Sequence, residues 1–307
     1  MLLGVLAICL LGGCWSKVEI EQMAFISLVG VDRADKEDLL VSFQIVNPRA
    51  LARGSGGGSG GGGEPPVFVL SVTARTVPDA LAKLAEESPR VVRFKQLSAI
   101  VLGEDLARSG VGQVMDFFAR HWEMRRSIWV LVAKKSAQDV LLKGAPVSER
   151  VPGMAIKMEM ERRAILSPTR YPVALGDFLT GLAREGEDAI ASSVEIGPMQ
   201  EKKPGGSGGK EEGGDTKEKA TTGMKELVFS GAGVFRGEKL VAFLGPQETR
   251  GVRWFKGKVP GGVLTVPVKT QGTWASLTTD REITRVKPVV TKTGIRYDVE
   301  IMDEGFI

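Results

Sequence analysis

The chain has 307 residues, 43% of them hydrophobic and 25% charged, the balance of a folded globular protein long enough for two domains of ordinary size. Its net charge is +4, and the basic residues form no block interleaved with aromatics, which excludes a nucleic-acid-binding surface of the usual kind. The mild basic bias suits ordinary solubility or a place near anionic lipid headgroups.

The N-terminus changes character abruptly. Met1 to Gly13 is uncharged and mostly Leu, Val, Ile and Ala, and the chain turns polar at Ser16, Lys17 and Glu19. At the junction stands Leu11-Gly12-Gly13-Cys14. Small side chains before one cysteine read as a bacterial lipoprotein signal. On that reading Cys14 becomes the first mature residue, its thiol takes a covalent diacylglyceryl lipid, and the palmitate-type acyl chains tether a soluble body. A buried core strand and a secretory signal cut without lipid are the other readings of this run. It is too short for a membrane-spanning helix, which needs about 20 apolar residues. No Lys or Arg precedes Lys17, whereas a signal peptide opens on basic residues. The true start is therefore expected upstream of Met1. The only cysteines are Cys9 and Cys14, so a body with Cys14 lipidated and Cys9 removed forms no internal disulfide.

After this signal, residues 14–197 are expected to form an α+β domain. Ala24 to Asp32 is a nearly continuous apolar run, Asp32 to Glu37 a charged turn, and Leu39 to Val46 alternates, which predicts a hairpin ended by Pro48. Residues 53–64 form a Gly-Ser loop. Its G-x-G-x-x-G match at Gly56, Gly58 and Gly61 arises from low complexity and lacks the strand-to-helix setting of a phosphate loop. Val67 to Ala74 is a strand. Thr76 and Asp79 have capping-box spacing for a helix whose buried stripe is Leu81, Leu84 and Ala85.

Leu97 to Leu102 predicts a strand. A helix over Val111 to Trp122 follows, with Val111, Val114, Phe118 and Trp122 on one face, and then a strand over Ile128 to Ala133. Strand, helix and strand at this spacing imply a parallel pair. Helices are predicted over Ser136 to Lys143, Met154 to Leu166 and Val173 to Arg184, and a strand over Ala189 to Ile196.

Residues 198–225 hold almost nothing apolar and are expected to be a disordered linker. Gly209-Lys210 fails as a P-loop, since Pro204 and Glu211 occupy required positions. Residues 226–307 are expected to be a second domain. It opens with a hairpin, Leu227 to Phe235 and Lys239 to Leu244 around Arg236-Gly237-Glu238, followed by a helix over Pro246 to Phe255. Strands are predicted over Val263 to Thr270, Thr273 to Thr278, Glu282 to Lys287 and Arg296 to Ile301. The class predicted is α+β, with mixed sheets and packed helices in two domains, the second incomplete.

The residues offer little chemistry. His121 is the one histidine, placed at a helix end where capping or solvation is its ordinary role. With Cys9 and Cys14 as the only thiols, no zinc ligand set or Cys–His pair can be assembled, and no D-x-D-x-D-G calcium loop occurs. A non-enzymatic role without a dissociable cofactor or metal is expected.

Three stretches carry a family resemblance. The first is Gly13-Cys14-Trp15 with Glu19-Ile20, Ala24-Phe25 and Gly30-Val31-Asp32. The second runs from Ala99-Ile100-Val101-Leu102-Gly103-Glu104 through Leu106-Ala107 to Arg120, Glu123 and Arg125, then Val132-Ala133-Lys134. The third, and most specific, is Gly231-Ala232-Gly233-Val234-Phe235 with Lys239-Leu240-Val241, Leu244, Glu248-Thr249 and Trp254 to Lys258. In this order the chain resembles the C subunit of spore germinant receptors, the Ger(x)C lipoproteins. The resemblance implies a lipid-anchored protein on the outer face of the spore's inner membrane, assembled with polytopic A and B subunits that answer nutrients by starting germination. It also implies no enzymatic activity, and a C-terminal α/β region that continues past Ile307. Arg120, Glu123, Arg125 and Arg126 fall in a family-like stretch and are expected either to meet a loop of a membrane subunit or to be a solvated helix end. A lipid-anchored solute-binding protein is the second functional reading; it would want two similar lobes around a cleft, whereas the lobes expected here are unequal.

Overall fold

The computed structural model describes residues 19, 22–52, 65–144, 149–163, 168–198, 225–257, 261–268, 273–292 and 294–306. Cys14, the Gly-Ser run at 53–64 and nearly all of 198–225 lie outside them.

The continuous apolar run forms β1 (Met23–Arg33), and the alternating run forms β2 (Leu39–Val46), paired antiparallel with Val31 opposite Val41. The short helix α1 (Pro48–Ala52) follows, and β3 (Val67–Ala74) pairs antiparallel with β2. Next comes α2 (Val77–Glu87). Thr76 Oγ1 accepts from Asp79 N at 3.2 Å, the cap expected from the sequence. Its buried residues are Val77, Ala80 and Leu84, while Ala85 is exposed, so the predicted stripe was rotated by part of a turn.

Besides α1, two elements were not predicted: β4 (Val91–Arg93), three residues long, and α3 (Glu104–Ser109), six. Between them lies β5 (Ala99–Leu102), whose four residues are all buried. α4 (Gly112–Arg120) buries Val114, Met115 and Phe118 and leads to β6 (Trp129–Ala133), parallel to β5. This is the predicted crossover. The predicted helix ended too late. His121 caps α4 in an extended conformation, the chain turns away, and Trp122 is 75% exposed rather than part of the buried face.

α5 (Ala137–Lys143) is capped by Ser136, and α6 (Pro152–Met158) runs into a π-helical turn at Glu159–Arg163. α7 (Leu175–Ala183) precedes β7 (Ile190–Pro198). β8 (Lys225–Arg236) and β9 (Lys239–Leu244) form the predicted hairpin, and β8 pairs antiparallel with β7, so the strands on either side of the expected linker share one sheet. The strand order is β3-β2-β1-β5-β6-β7-β8-β9, with β4 beside the first residues of β1. The sheet is parallel from β1 through β7 and antiparallel at both flanks.

Alternation along the strands gives this sheet two cores. Ile100, Leu102, Val130 and Val132 face α2, α3, α4 and α7 with Leu84, Leu106, Phe118 and Phe178. Ala99, Val101, Leu131 and Ala133 face the other way, towards Val140 and Leu141 of α5 and Ile156 of α6. A sheet that mixes parallel and antiparallel strands, packed by helices, with a separate antiparallel sheet after it, makes this an α+β protein, as expected.

Asp32, read from sequence as part of a charged turn, is buried at the end of β1. Its carboxylate accepts from Ala137 N and Gln138 N at 2.7 Å each and from Ser136 Oγ at 3.2 Å, which ties β1 to the start of α5. Burial raises its pKa against the pull of those hydrogen bonds. The fit explains the glycine opposite: a Cβ on Gly103 would come within 2.0 Å of Asp32 Oδ1.

The C-terminal part differs. α8 (Pro246–Phe255) has the predicted bounds and is held to the body by Arg253 Nη1 donating to Arg170 O at 2.9 Å and by the Lys256–Glu187 ion pair at 3.0 Å. β10 (Gly262–Pro267), β11 (Trp274–Thr291) and β12 (Gly294–Phe306) form a separate antiparallel sheet. The two strands predicted at 273–278 and 282–287 are one. The polar run between them stays in β11 through a bulge at Thr279/Arg281, because an extra residue lets a strand continue where alternation breaks. Among the described residues no helix is long and apolar enough to cross a membrane.

Candidate functional site

The parallel strands begin at one end of the molecule. Met23 of β1 lies beside Val91 of β4, Ser98 N donates to Ser27 O at 2.9 Å, and Trp129 N donates to Ser98 O at 3.0 Å. The loops before these strands, Phe94 to Leu97 and His121 to Ile128, therefore come together there. This end gathers Arg120, Glu123, Arg125 and Arg126.

Glu123 organises it. The α4 helix stops at Arg120, His121 N still donates to Phe117 O at 3.0 Å, and a turn returns Met124 N to His121 O at 3.0 Å. The turn carries the Glu123 side chain inward, where it is 2% exposed. Its carboxylate accepts from Phe94 N at 2.7 Å and from Arg93 Nη1 at 3.4 Å. A buried carboxylate needs such partners, since an unpaired charge there would be strongly unfavourable. Glu123 thus staples the loop after α4 to the loop after β4 and stands apart from the exposed arginines around it.

His121 lies over this staple. Its ring meets Phe94 edge-on at 5.2 Å and Phe117 at 5.1 Å, and stacks beside Trp122 at 6.2 Å. Glu123 N donates to His121 Nδ1 at 3.3 Å, so that nitrogen is an acceptor. Burial lowers the imidazole pKa, and the nearby Glu123 charge opposes the shift. Burial outweighs the charge, and with Nδ1 accepting from Glu123 N the neutral ring packs and caps.

The remaining residues point outward. Arg120 is exposed and bound to Asp116 at 2.7 Å, one turn back on α4. Arg125 and Arg126 are exposed, and their carbonyls are used: Ile128 N donates to Arg125 O at 3.2 Å and Gly176 N to Arg126 O at 2.9 Å, which seats the start of α7 on this loop. Beside Trp122 opens a cleft of about 450 Å³ walled by Leu81, Arg90, Val91, Phe94 and His121. Trp122 and Val91 were not predicted as part of any site. The helical period runs through Trp122, and three residues are too few to mark β4 in sequence. Among the described residues no group of three or more His, Cys, Asp or Glu could hold a metal ion. The chemistry on offer is recognition by cations, indole and apolar rim.

Comparison with known proteins places the chain. The spore germination protein N-terminal domain matches residues 16–196, and the C-terminal domain of spore germination B3/GerAC-like proteins matches residues 230–307. In Bacillus subtilis (strain 168), spore germination protein B3 is 26% identical over 308 residues, 99% of this chain and 72% of that protein. The spore germination protein YfkR of the same organism is 31% identical over 204 residues, 66% of this chain and 50% of YfkR. Spore germination protein KC is 28% identical over 158 residues, 51% of this chain and 39% of KC. The chain therefore spans about half the length of YfkR and less of KC. The crystal structure of the GerBC protein is similar with a TM-score of 0.46 and 21% identity over 90% of this chain and 70% of that one. With one family matching from residue 16 through the sheet's first seven strands, and its companion from residue 230 through α8 and the second sheet, the chain belongs to the Ger(x)C family of spore germination proteins.

Proposed function

We propose that this chain is the lipid-anchored C-type subunit of a nutrient germinant receptor. It acts without catalysis, on the outer face of the spore's inner membrane, in assembly with polytopic A and B subunits. The observation that carries the reading is the pair of germination-family matches over 16–196 and 230–307. The LGGC junction supports the anchor: two acyl chains hold a body stably at roughly 0.8 kcal/mol per buried methylene, where one chain is marginal. The geometry agrees with a binding role, since its one histidine is a packed cap and its exposed loop presents cations and an indole.

The test is affinity isolation of a tagged chain from dormant-spore membranes. Two polytopic membrane proteins are expected to co-purify, and Cys14→Ala is expected to release the chain into the soluble fraction after a salt wash. Isolation of the tagged chain alone from intact membranes would remove the assembly. Retention of Cys14→Ala on washed membranes would remove the lipid anchor.

A further inference from the structure

We propose that the end of the molecule formed by β4 and the 121–127 loop rests on an anionic lipid surface, with the Trp122 indole at the interface and Arg90, Lys95, Arg125 and Arg126 over the headgroups. The inference deepens the reading of Cys14 as the anchor, from which it takes the direction of approach.

Position comes first. β1 enters the body at Met23, and Met23 pairs with Val91 on the rim of the Trp122 cleft. Cys14 precedes Met23 by 23 − 14 = 9 residues, a stretch that spans at most about 30 Å when fully extended. A lipid on Cys14 therefore holds this end, where the parallel strands start, within a short tether of the headgroups. At that effective concentration a weak surface contact is sufficient.

The chemistry fits the same surface. Trp122 is 75% exposed and Val91 43%, so an indole and an apolar rim stand in solvent side by side. Tryptophan in such a place suits the headgroup level of a bilayer, where one side of the ring is apolar and the other wet. Arg90 and Arg93 line the cleft beside it, and Lys95, Arg120, Arg125 and Arg126 lie in or next to the loops that meet there. Arg93 is bound to Glu123 and Arg120 to Asp116. Among the described residues Arg90, Lys95, Arg125 and Arg126 have no ion pair, and the exposed Glu86 and Glu87 at the end of α2 engage none of them. Arginine forks match phosphate oxygens in pairs. The platform is rigid, because Glu123 ties the two loops together and Gly176 N is bonded to Arg126 O.

The experiment uses the full lipidated chain in a Trp15→Phe background, so that the indole beside the anchor does not report. It is placed in vesicles of acyl-brominated phosphatidylcholine mixed with phosphatidylglycerol, and bromine quenching of tryptophan fluorescence is read. Trp122→Phe, at an exposed position, keeps the far-UV circular dichroism and is expected to remove most of the quenching. Arg125→Ala and Arg126→Ala are each expected to lower the docked-to-free ratio about fivefold, as is loss of each cation from an anionic surface. Replacing phosphatidylglycerol by phosphatidylcholine is expected to abolish docking. Quenching unchanged by Trp122→Phe overturns the proposal, and vesicle flotation of the same sample reports the anchor separately. Flotation that survives Cys14→Ser removes the anchor but leaves the Trp122 result to be judged alone. Co-purification with the A or B subunit lost on changing Arg125 and Arg126, with no quenching of Trp122, would make this end a protein contact and overturn the lipid assignment.

Discussion

Phe43 of β2 and Ile295 of β12 are apolar residues on antiparallel strands with a readable alternation. Phe43 has no exposed surface, and Ile295 is 61% exposed. The difference holds for the two sheets as wholes. In the large sheet, alternate residues of each central strand meet helices on one side or the other, and β5 buries all four of its residues. In the small sheet, Val290 pairs with Ile295, Pro288 with Tyr297 and Val286 with Val299, and these three pairs form an apolar stripe open to solvent. The opposite face carries Arg285 against Glu300 and Lys287 against Asp298. Both sheets satisfy their backbone and their pattern. Among the described residues only the first has helices over both faces, so pattern specifies which face of a strand is apolar, and the next layer decides whether it is buried.

The largest test of this contrast is Phe43→Ala. Removing a fully buried ring from a sheet packed on both faces is expected to cost about 3–5 kcal/mol, the transfer term plus the cavity left behind. The midpoint of urea unfolding checks it. A cost near that of a surface change would mean that the body is loosely packed and the two sheets differ less than they look.

Glu123→Ala comes next and tests the polar side of the body. It leaves the buried Phe94 N–H without its carboxylate at 2.7 Å and frees Arg93, and is expected to cost about 2–3 kcal/mol. Glu123→Gln keeps an acceptor for Phe94 N–H and is expected to lose less. Equal losses in the two variants would show that the charge, and not the hydrogen bond, holds the loops.

Much of the fold was legible because its signals are local. The hairpin of β1 and β2, the bounds of β3, the Thr76 cap and the bounds of α8 each follow from residues close together in sequence. What escaped depends on partners distant in sequence. Glu123 meets Phe94 across 29 residues and Asp32 meets Ala137 across 105, so neither carboxylate could be told from surface charge. Trp122 lies at a helical interval from Phe118, and only the turn made for Glu123 sends it outward. The arginines of the candidate site were singled out by their family-like setting, the exposed indole beside them was not, and Cys14 lies outside the described residues.

A smaller effect separates the phenols. Burial, with Glu187 and Asp177 nearby, pushes the Tyr171 hydroxyl up to about 12 from an ordinary 10.0, against the pull of Arg253. The folded chain then holds this proton where the unfolded chain has lost it. The stabilisation is fully present below pH 10 and is lost as pH rises from there towards 12, at about 1.4 kcal/mol per pH unit. Tyr171 and Tyr297 are the only tyrosines. Ultraviolet titration of a Tyr297→Phe variant therefore reports Tyr171 alone, and ionisation near pH 10 would show that the Tyr171 site is open to water.

The smallest effect is expected from Ile295→Ala in the uncovered sheet, and it bears most directly on the contrast. The side chain is 61% exposed and its cross-strand partner Val290 is 82% exposed, so truncation removes one pair contact and creates no cavity. Such pairs contribute roughly 0.2–1 kcal/mol, and exposed substitutions away from special features stay within about 0.5 kcal/mol. Global unfolding should hardly register the change, so the readout is hydrogen exchange of the β11 and β12 amides, expected to speed up about twofold. β12 pairs with β11 alone, so a truncation acting only on the ladder should be felt on these two strands and not in β10. A loss of 2 kcal/mol or more, spreading to β10 or to α8 through the Thr284 hydroxyl that donates to Trp254 O, would mean that the stripe is covered in solution. The difference between the two sheets would then lie in what covers the second one and no longer in whether it is covered.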